Sequence, residues 1–368
     1  MSHDDRPDGG RTRVALSMLT LVRGGMGGSE RYARVLTREL ARHESVDAVA
    51  LVPGPAVGFS QGVPEEAVPH VHGRGSTLDR LSDLVRSEMF RRRVSGLRHA
   101  DVVHYPFTVP VPHPPRDVPY VQTLHDVQHL DLPGLFSREE IVFRRLMYDR
   151  GARQAAAVIT VSNFTKGRAV ETLGLDPAKV HVAPLGVDPP ADSACGGERE
   201  ELVLYPARPW PHKNHALLIR AMDLLRRERP SLRLVLTGGG LETLGPVPDW
   251  VERRGHVPDP ELDTLYRRAA CLAFPSLYEG FGLPTLEAMA RGCPVAVARA
   301  GALPEVCGDA AVYFDPHDAA AVAAAVDQAI RERDRLVARG LRQVTLWRWD
   351  RCAQVHVDVY RRLHGQPA

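Results

Sequence analysis

Short runs of Val, Leu, Ile and Ala recur along the chain and alternate with amphipathic stretches. Apolar runs without strict alternation are typical of strands that are buried on both faces of a parallel sheet. In the first half, the predicted strands are Val14–Leu19, Ala48–Val52, Asp101–His104, Tyr120–Leu124, Ala157–Val161 and Val180–Ala183. The predicted helices between them are Ser29–Arg42, Ser137–Ala155 and Ser162–Leu173. This half is predicted to be a doubly wound α/β domain.

The pattern stops at a segment rich in Pro, Gly and charge, and then restarts. The second series of predicted strands is Glu201–Ala207, Leu232–Thr237, Cys271–Phe274, Pro294–Ala298 and Ala311–Phe314. Its predicted helices are Asn214–Arg229, Pro260–Ala269, Pro284–Arg291 and Asp318–Arg333, and a last helix, Asp350–Leu363, follows Trp347 and Trp349. We therefore expect a first Rossmann-like domain over 1–188, a linker over 189–201, a second such domain over 202–346 and a C-terminal helix over 347–368. Two such sheets predict a ligand crevice at the carboxyl ends of their strands.

Composition restricts the classes of partner. The 368 residues suffice for two domains, and 47 Lys and Arg against 45 Asp and Glu leave a net charge of only +2. No nucleic-acid partner is expected at this charge balance, so any anion site must be local. Five cysteines without a C-x-x-C pair indicate neither a disulfide framework nor a zinc site. With no apolar run approaching a membrane span and no secretory leader, a cytoplasmic location is expected.

Two loops carry groups that suit an anion. Gly24, Gly25, Gly27 and Gly28 precede the first helix, for which Ser29 is the predicted cap, and glycines let backbone N–H groups approach a ligand. A mobile turn is the alternative for such a weak motif. After the first strand of the second domain come Arg208 and Lys213, one of only three lysines, on a loop that enters a helix with Asn214 as its predicted cap. Two cations beside free helix N–H groups can hold a diphosphate.

The segment from Pro275 to Val295 is the most informative. Gly280 and Gly282 free the backbone, and Pro284 fits the first turn of a helix. The N–H groups of Phe281, Gly282 and Leu283 would then face an anion. Glu279 and Glu287 flank this turn, and because carboxylates repel phosphate, we expect them to accept hydrogen bonds from sugar or ribose hydroxyls. Stabilisation of the helix dipole is the alternative for Glu287.

His125 and Asp126 directly follow the predicted strand Tyr120–Leu124. Together with His129 they could ligate a metal, but no second cluster completes such a site. Contact with a substrate, or stabilisation of developing charge, is the better use. We therefore expect no metal site and no cofactor.

The chain resembles the retaining glycosyltransferases of the family-four type (glycosyl transferases group 1), which have the GT-B fold and use nucleotide-sugar donors. The resemblance rests on GGMGGSE, LHD, ITVSNFTK, PLGVD, RPWPHKN, LTGGG, HVPDPEL and EGFGLPTLEAMARGCPV, in the order that the family shows. Only the EGFGLP segment with its E-x7-E spacing is specific by itself. The resemblance also implies that the last helix crosses back to the first domain.

The resemblance assigns roles to residues. It implies that Arg208, Lys213 and the backbone of Phe281–Leu283 bind the donor diphosphate, with Gly27 and Gly28 approaching from the other domain. It implies that Glu287 binds ribose, that the backbone near His256 and Val257 lines the base, and that Glu279 and His125 contact the transferred sugar. Asp126 is placed with them as a catalytic candidate.

We expect metal-independent hexose transfer with retention, with a mannose-like or deoxyhexose sugar favoured and GDP, UDP or dTDP as the nucleotide. A nucleotide-sugar epimerase or phosphorylase of the same architecture, or a non-catalytic sugar-nucleotide-binding partner, are the alternatives. The acceptor could be a small molecule or lipid-linked. Residues 78–98 combine apolar and arginine side chains, which permits peripheral contact with the inner face of the membrane, although a solvated helix is the default for such a stretch.

Overall fold

A computed structural model describes residues 10–68, 71, 83, 85–89, 91–188 and 199–365. The predicted linker therefore lies outside the described residues from 189 to 198, as do residues 78–82, 84 and 90 of the basic stretch. Within the described part, all strands pair in parallel and form two separate sheets.

The first sheet has the strand order β3-β2-β1-β4-β5-β6-β7. Its strands are β1 Thr12–Ser17, β2 Val46–Pro53, β3 Glu65–Val68, β4 Val102–Tyr105, β5 Tyr120–Leu124, β6 Ala157–Thr160 and β7 Val180–Val182. The helices of this half are α1 Gly28–Leu40, α2 Ser95–Arg98, α3 Gln128–Asp131, α4 Arg138–Arg144, α5 Arg150–Gln154 and α6 Asn163–Leu173. Residues 83 and 85–89 are also helical.

The second sheet has the order β10-β9-β8-β11-β12-β13. Its strands are β8 Glu200–Pro206, β9 Arg233–Thr237, β10 Val251–Gly255, β11 Ala269–Phe274, β12 Val295–Ala298 and β13 Ala311–Phe314. The accompanying helices are α7 His215–Leu225, α8 Asp259–Arg268, α9 Leu283–Ala290, α10 Leu303–Cys307, α11 Ala319–Arg331, α12 Arg333–Val344 and α13 Trp349–Leu363. The predicted α/β class with two doubly wound sheets is confirmed.

Burial explains why the apolar runs predicted strands well. Every residue of β6, β11 and β12 is buried, because helices cover both faces of each sheet. The predicted single helix Ser137–Ala155 is wrong in one respect: a π-helical turn over Arg145–Asp149 separates α4 from α5. The extra residue frees carbonyls, and the Gln122 side-chain amide lies 3.3 Å from the Tyr148 carbonyl oxygen and donates to it.

The C-terminal helix α13 belongs to the second half in sequence but contacts α1, β1 and β7 of the first domain. Trp349 and Trp347 both pack in the apolar core at the start of this helix. The N–H of Val187 donates to the Trp347 carbonyl over 3.2 Å, next to Gly186. A Cβ at Gly186 would lie 2.2 Å from the Trp349 nitrogen, so glycine permits the close approach of the two segments. The predicted crossing back of the last helix is confirmed.

The apolar residues of the basic stretch divide into two groups. Val94 and Leu97 are buried in a core cluster with β1 and β4, so they cannot face a membrane. Val85 and Met89 are exposed, by 55% and 72%. None of the described helices combines the length and the apolar character needed to span a bilayer.

Candidate active site

The carboxyl ends of β5 and β11 lead into loops that touch each other across the two domains. A Cβ added at Gly280 would lie 1.9 Å from the His125 carbonyl oxygen, so the main chains of the two loops are in direct contact. The Gly280 carbonyl accepts hydrogen bonds from the Ser162 and Thr165 hydroxyls at 2.7 and 3.3 Å. At the place of the predicted crevice, the two domains therefore touch each other, and Gly280 permits this contact because it has no side chain.

Lys213 and Glu279 form an ion pair between the loops after β8 and β11. The distance from Lys213 Nζ to Glu279 Oε1 is 2.6 Å, and the side chains are 14% and 11% exposed. The Tyr205 hydroxyl donates to the Lys213 carbonyl over 2.7 Å and holds the loop in place. An ammonium has three donors, so Lys213 retains N–H groups for an anionic ligand while it balances Glu279.

Arg208 reaches from the second domain to the glycine loop of the first. Its Nη1 donates to the Gly25 carbonyl over 2.6 Å, and its guanidinium carbon lies 5.5 Å from the Trp210 ring centroid. Its Nε is buried and has no hydrogen-bond partner among the described residues. A buried, unpaired N–H of a cation is costly, and an anionic ligand would satisfy it.

The turn Phe281–Leu283 has the predicted form. Gly282 adopts φ 96°, which favours glycine, and α9 begins at the next residue with Pro284 in its first turn. The side chains of Phe281 and Leu283 are buried, so these residues offer only their backbone. Across the described ranges, no hydrogen bond is formed by the N–H groups of residues 281–283. The positive end of the α9 dipole and these N–H donors favour an anion at this position.

Glu287 on α9 is buried and already has partners from two sides. Its Oε2 accepts a hydrogen bond from the Tyr266 hydroxyl at 2.9 Å, and its Oε1 lies 3.1 Å from Nη1 of Arg31 on α1. Burial and the adjacent carboxylate raise the pKa of Tyr266 well above its ordinary value, so the phenol remains a donor. A carboxylate accepts about four hydrogen bonds, which leaves capacity for a hydroxyl. Dipole stabilisation alone does not account for these contacts.

His125 lies at the end of β5 with a defined tautomer. Its Nε2 is 2.8 Å from the Pro106 carbonyl, and since a carbonyl only accepts, Nε2 carries the proton. Burial lowers the pKa of His125, which keeps the ring neutral and Nδ1 unprotonated. Asp126 Oδ1 accepts from the Gln128 N–H at 3.1 Å at the start of α3. This contact is local, and the catalytic role of Asp126 stays a prediction.

His212 lies next to Lys213. Burial and the charge of Lys213 lower its pKa to about 3, so this ring adds no positive charge at neutral pH. The cations available to a ligand at this loop are therefore Arg208 and Lys213.

The remaining predicted residues lie in the glycine loop and after β10. Gly27 has φ 58° and precedes α1, whose first residue is Gly28. His256 is exposed and Val257 is buried; both follow the carboxyl end of β10, a strand that the sequence analysis missed. No hydrogen bond or ion pair between described residues joins His256 to the Lys213–Glu279 pair.

Ser29 is not the cap of α1, and Asn214 occupies the N-cap position of α7 without a capping hydrogen bond from its side chain. The Ser29 hydroxyl donates to the Met26 carbonyl over 2.8 Å, because α1 already begins at Gly28. The Asn214 side chain donates instead to the carbonyls of Pro275 and Pro316, at 3.3 and 2.8 Å. Asn214 thus connects the loops after β8, β11 and β13.

Sequence reasoning missed the residues that join the domains. Glu305 of α10 accepts from the N–H groups of Asn163 and Phe164, each at 2.9 Å, and so caps α6 from the other domain. Tyr278 donates to Asp131 over 2.9 Å. The position of Arg31, one turn after the glycine loop, is a signal that could have identified it.

His129 is not positioned for a metal. Its Nε2 lies 2.8 Å from Asp149 Oδ1, and both side chains are buried. Among the described residues, no group of three or more His, Cys, Asp or Glu side chains is arranged around a common point where a metal ion could bind.

Comparisons with known proteins match both halves of the chain. Residues 26–191 match the model of glycosyltransferase family 4, and residues 196–340 match that of glycosyl transferases group 1. O-antigen chain mannosyltransferase B of Escherichia coli is 28% identical over 91% of this chain and 96% of its own length. An MMP alpha-(1->4)-mannosyltransferase of Mycolicibacterium hassiacum is 34% identical over 59% of this chain and 56% of its own length.

A solved structure supports the fold. Anabaena HepE in complex with UDP and glucose superposes with a TM-score of 0.69, covering 95% of this chain and 99% of that chain at 17% identity. At this identity the likeness concerns the fold, and it confirms the GT-B architecture.

Substituting Gly280 by Ala tests the contact between the domains. The added Cβ would meet the His125 carbonyl, so the two loops must separate and the hydrogen bonds from Ser162 and Thr165 must lengthen. A loss of about 1 to 2 kcal/mol of the free energy that holds the two loops together corresponds to a roughly 5- to 30-fold larger population of the open state. We expect this increase in the hydrogen exchange of the Asn163 and Phe164 amides, measured by mass spectrometry.

The matched control is Gly134→Ala, where nothing lies within 4 Å of the added Cβ. Its exchange at Asn163 and Phe164 should equal that of the unchanged protein. Equal exchange in Gly280→Ala would show that the two loops do not maintain this contact in solution.

Proposed function

The chain belongs to the family-four glycosyltransferases, and from this membership we propose that it transfers a hexose from a nucleoside-diphosphate sugar to an acceptor hydroxyl with retention at the anomeric carbon. One observation carries the proposal beyond the family. At the carboxyl ends of the same parallel sheet lie Arg208, Lys213 and the start of α9, where the Arg208 Nε and three backbone N–H groups have no partner among the described residues. This set of donors suits a diphosphate.

In the proposed reaction, the bond from the anomeric carbon to the diphosphate oxygen breaks while a bond to the acceptor oxygen forms on the same face. The proton of the acceptor hydroxyl passes to the departing phosphate oxygen. Arg208, Lys213 and the backbone of Phe281–Leu283 stabilise the charge that develops on the diphosphate, so this step requires no metal. Glu279 accepts hydrogen bonds from the transferred sugar, and neutral His125 lies beside it.

The proposed double role of Lys213 and Glu279 follows from their ion pair. Lys213 orients the Glu279 carboxylate toward sugar hydroxyls while its other N–H groups meet the diphosphate. Glu287, held by Tyr266 and Arg31, would accept from the ribose hydroxyls. Gly27 and Gly28 would approach the phosphates from the first domain, and the backbone at His256 and Val257 would line the base. No comparable role follows for Asp126 from its contacts.

For the donor we propose a mannose-like or deoxyhexose sugar. The two relatives described above are both named as mannosyltransferases, which supports mannose and therefore GDP-mannose as the first donor to examine. UDP- and dTDP-linked sugars are the other donors that the site chemistry accommodates, because the diphosphate contacts do not distinguish the base.

Changing one charged group in each proposed subsite tests the function. Arg208→Ala removes a diphosphate ligand, and Glu279→Gln removes a sugar-binding charge together with the partner of Lys213. We expect each to lower kcat/KM for sugar transfer by roughly 100-fold, since single donors in such sites contribute about 10²- to 10³-fold. The assay counts glycoside, free sugar and epimerised donor separately.

Arg227→Ala and Glu228→Gln are the controls, because both positions are exposed in the same domain. Their transfer rates should remain unchanged. Full activity in Arg208→Ala or Glu279→Gln would refute the assignment, and epimer without glycoside would establish the epimerase reaction in its place.

Donor identity is tested by thermal unfolding with a panel of sugar nucleotides. A ligand at 100 times its Kd adds about 2.7 kcal/mol to the folded state, which corresponds to a rise of several degrees in Tm. We expect GDP-mannose to give the largest rise and Arg208→Ala to abolish it. An equal rise with every nucleotide, or none with any, would contradict the proposed donor.

The acceptor is proposed to be a small molecule or a lipid-linked glycan, with the enzyme in the cytoplasm and in peripheral contact with the inner membrane face. Exposed Val85 and Met89, close in sequence to Arg91, Arg92 and Arg93, support this contact. Basic residues next to exposed apolar side chains favour anionic lipid surfaces.

Sedimentation with liposomes tests the membrane contact. We expect binding to vesicles that contain anionic phosphatidylglycerol, weaker binding at high salt, and reduced binding of the double variant Met89→Ser, Arg92→Glu. Vesicles of neutral phosphatidylcholine are the control. Equal sedimentation with both lipid types would count against membrane contact through this stretch.

A further inference from the structure

A chain of buried polar side chains crosses the core of the first domain and ends beside the candidate site. Its members are Tyr360 and His356 on α13, His104 on β4, Thr123 on β5 and Tyr32 on α1, and each is fully buried. A buried polar group without a partner costs free energy, and a partly satisfied network is worse than an apolar core. Every member of this chain has a partner, so it is fully satisfied.

The position of each proton in one half of the chain follows from the contacts. His356 Nδ1 lies 2.7 Å from the Cys352 carbonyl, which can only accept, so Nδ1 carries the proton. Burial lowers the pKa of His356 to about 4, and the neutral ring therefore presents Nε2 as an acceptor. The Tyr32 hydroxyl donates to this atom over 2.7 Å.

The proton positions in the other half of this hydrogen-bond chain are then determined as well. Because the only proton of the Tyr32 hydroxyl is used, the Thr123 hydroxyl donates to Tyr32 over 2.9 Å. The Thr123 oxygen must then accept from His104 Nε2 at 2.8 Å. His104 Nδ1 is the remaining acceptor, and the Tyr360 hydroxyl donates to it over 2.7 Å. His104 and His356 are therefore neutral and in opposite tautomers.

Tyr32 connects this chain to His125. The two rings are perpendicular at 82°, with centroids 5.1 Å apart, and the His125 Nε2 proton is directed at the Pro106 carbonyl. The His125 ring is thus held by one hydrogen bond and by the Tyr32 ring. Because the Tyr32 hydroxyl both donates and accepts inside the core, the Tyr32 ring has one orientation.

We propose that Tyr32 is a positioning residue for His125, and that α13 fixes Tyr32 through His356 and, by way of His104 and Thr123, through Tyr360. The last helix then does more than cover the first domain: its seating determines how the ring beside the transferred sugar is oriented. The kinetic part of this proposal rests on the proposed function, whereas the arrangement of the rings does not.

Two variants interrupt the chain of hydrogen bonds at different points. Tyr32→Phe keeps the ring but leaves His356 Nε2 without its donor, and Tyr360→Phe removes the donor to His104 at the far end. Tyr120→Phe is the matched control, because its hydroxyl donates to the Gly151 carbonyl at the opposite end of β5. Tyr360→Phe also provides the test if Tyr32→Phe does not fold.

The first measurement is ¹⁵N NMR of the histidine rings, assigned with single His→Gln variants. In the unchanged protein we expect His356 as the Nδ1–H tautomer and His104 and His125 as Nε2–H tautomers. The ¹⁵N chemical shifts of the His125 ring should change in Tyr32→Phe and in Tyr360→Phe, and should be unchanged in Tyr120→Phe. Unchanged His125 chemical shifts in both Tyr32→Phe and Tyr360→Phe would overturn the proposal.

The second measurement is steady-state transfer. We expect kcat to fall on the order of tenfold in Tyr32→Phe, with the donor KM unchanged, since a misplaced group slows the reaction step without weakening donor binding. A fall no larger than that of Tyr120→Phe would overturn the proposal. If the unchanged protein transfers no sugar, the proposed function fails, and the NMR measurement still decides whether Tyr32 positions His125.

Discussion

The contact between the two sheet domains depends on main-chain atoms that approach too closely for any side chain. Gly280 lies against the His125 carbonyl, and the Ser162 and Thr165 hydroxyls donate to the Gly280 carbonyl. Glu305 adds a carboxylate from the second domain to the exposed N–H groups of α6. These contacts satisfy backbone groups of one domain with partners from the other, so the site has its observed geometry only when both are together.

The same contact explains how a nearly neutral chain can concentrate positive charge. Each cation of the site has a partner: Lys213 pairs with Glu279, Arg31 pairs with Glu287, and Arg208 donates to a carbonyl. An unpaired charge that is buried to this extent would cost free energy through desolvation, and pairing offsets this cost. Since the guanidinium and ammonium groups have more donors than their present partners accept, an anion can be added without breaking the pairs. The carboxylates, in turn, retain acceptors for hydroxyls.

Predictions from the sequence succeeded where one local rule sufficed. Strands buried on both faces read as apolar runs, and the turn before α9 follows from glycine and proline chemistry. The strands Glu65–Val68 and Val251–Gly255 were missed because they carry charges, whereas the other two edge strands, β7 and β13, are more apolar and were predicted. Charged edge strands lack the apolar signal on which the prediction depended.

In the site, too, a local rule identified some residues, whereas others depend on how the domains pack. Residues that directly follow strands could be selected, because the carboxyl ends of parallel strands meet at one edge. The partners Tyr266 and Glu305 could not, since they lie on helix faces whose neighbours depend on how the domains pack. Asp126 also follows a strand, but its described contact is local, from the N–H of Gln128, and its catalytic role stays a prediction.

The buried polar residues of β4 and β5 indicate what the packing adds. In a strand covered on both faces, packing alone does not explain His104 and Thr123, because Val or Leu would fill the same space without polar atoms to satisfy. Their partners come from α1 and α13, which are separated by more than 300 residues in the chain. A core that requires every one of these hydrogen bonds accepts only one seating of α13. An apolar core of similar volume would tolerate several. The direction of the hydrogen bonds, from Tyr360 to the Cys352 carbonyl, thus makes the position of the last helix a condition for the orientation of the ring at the end of β5.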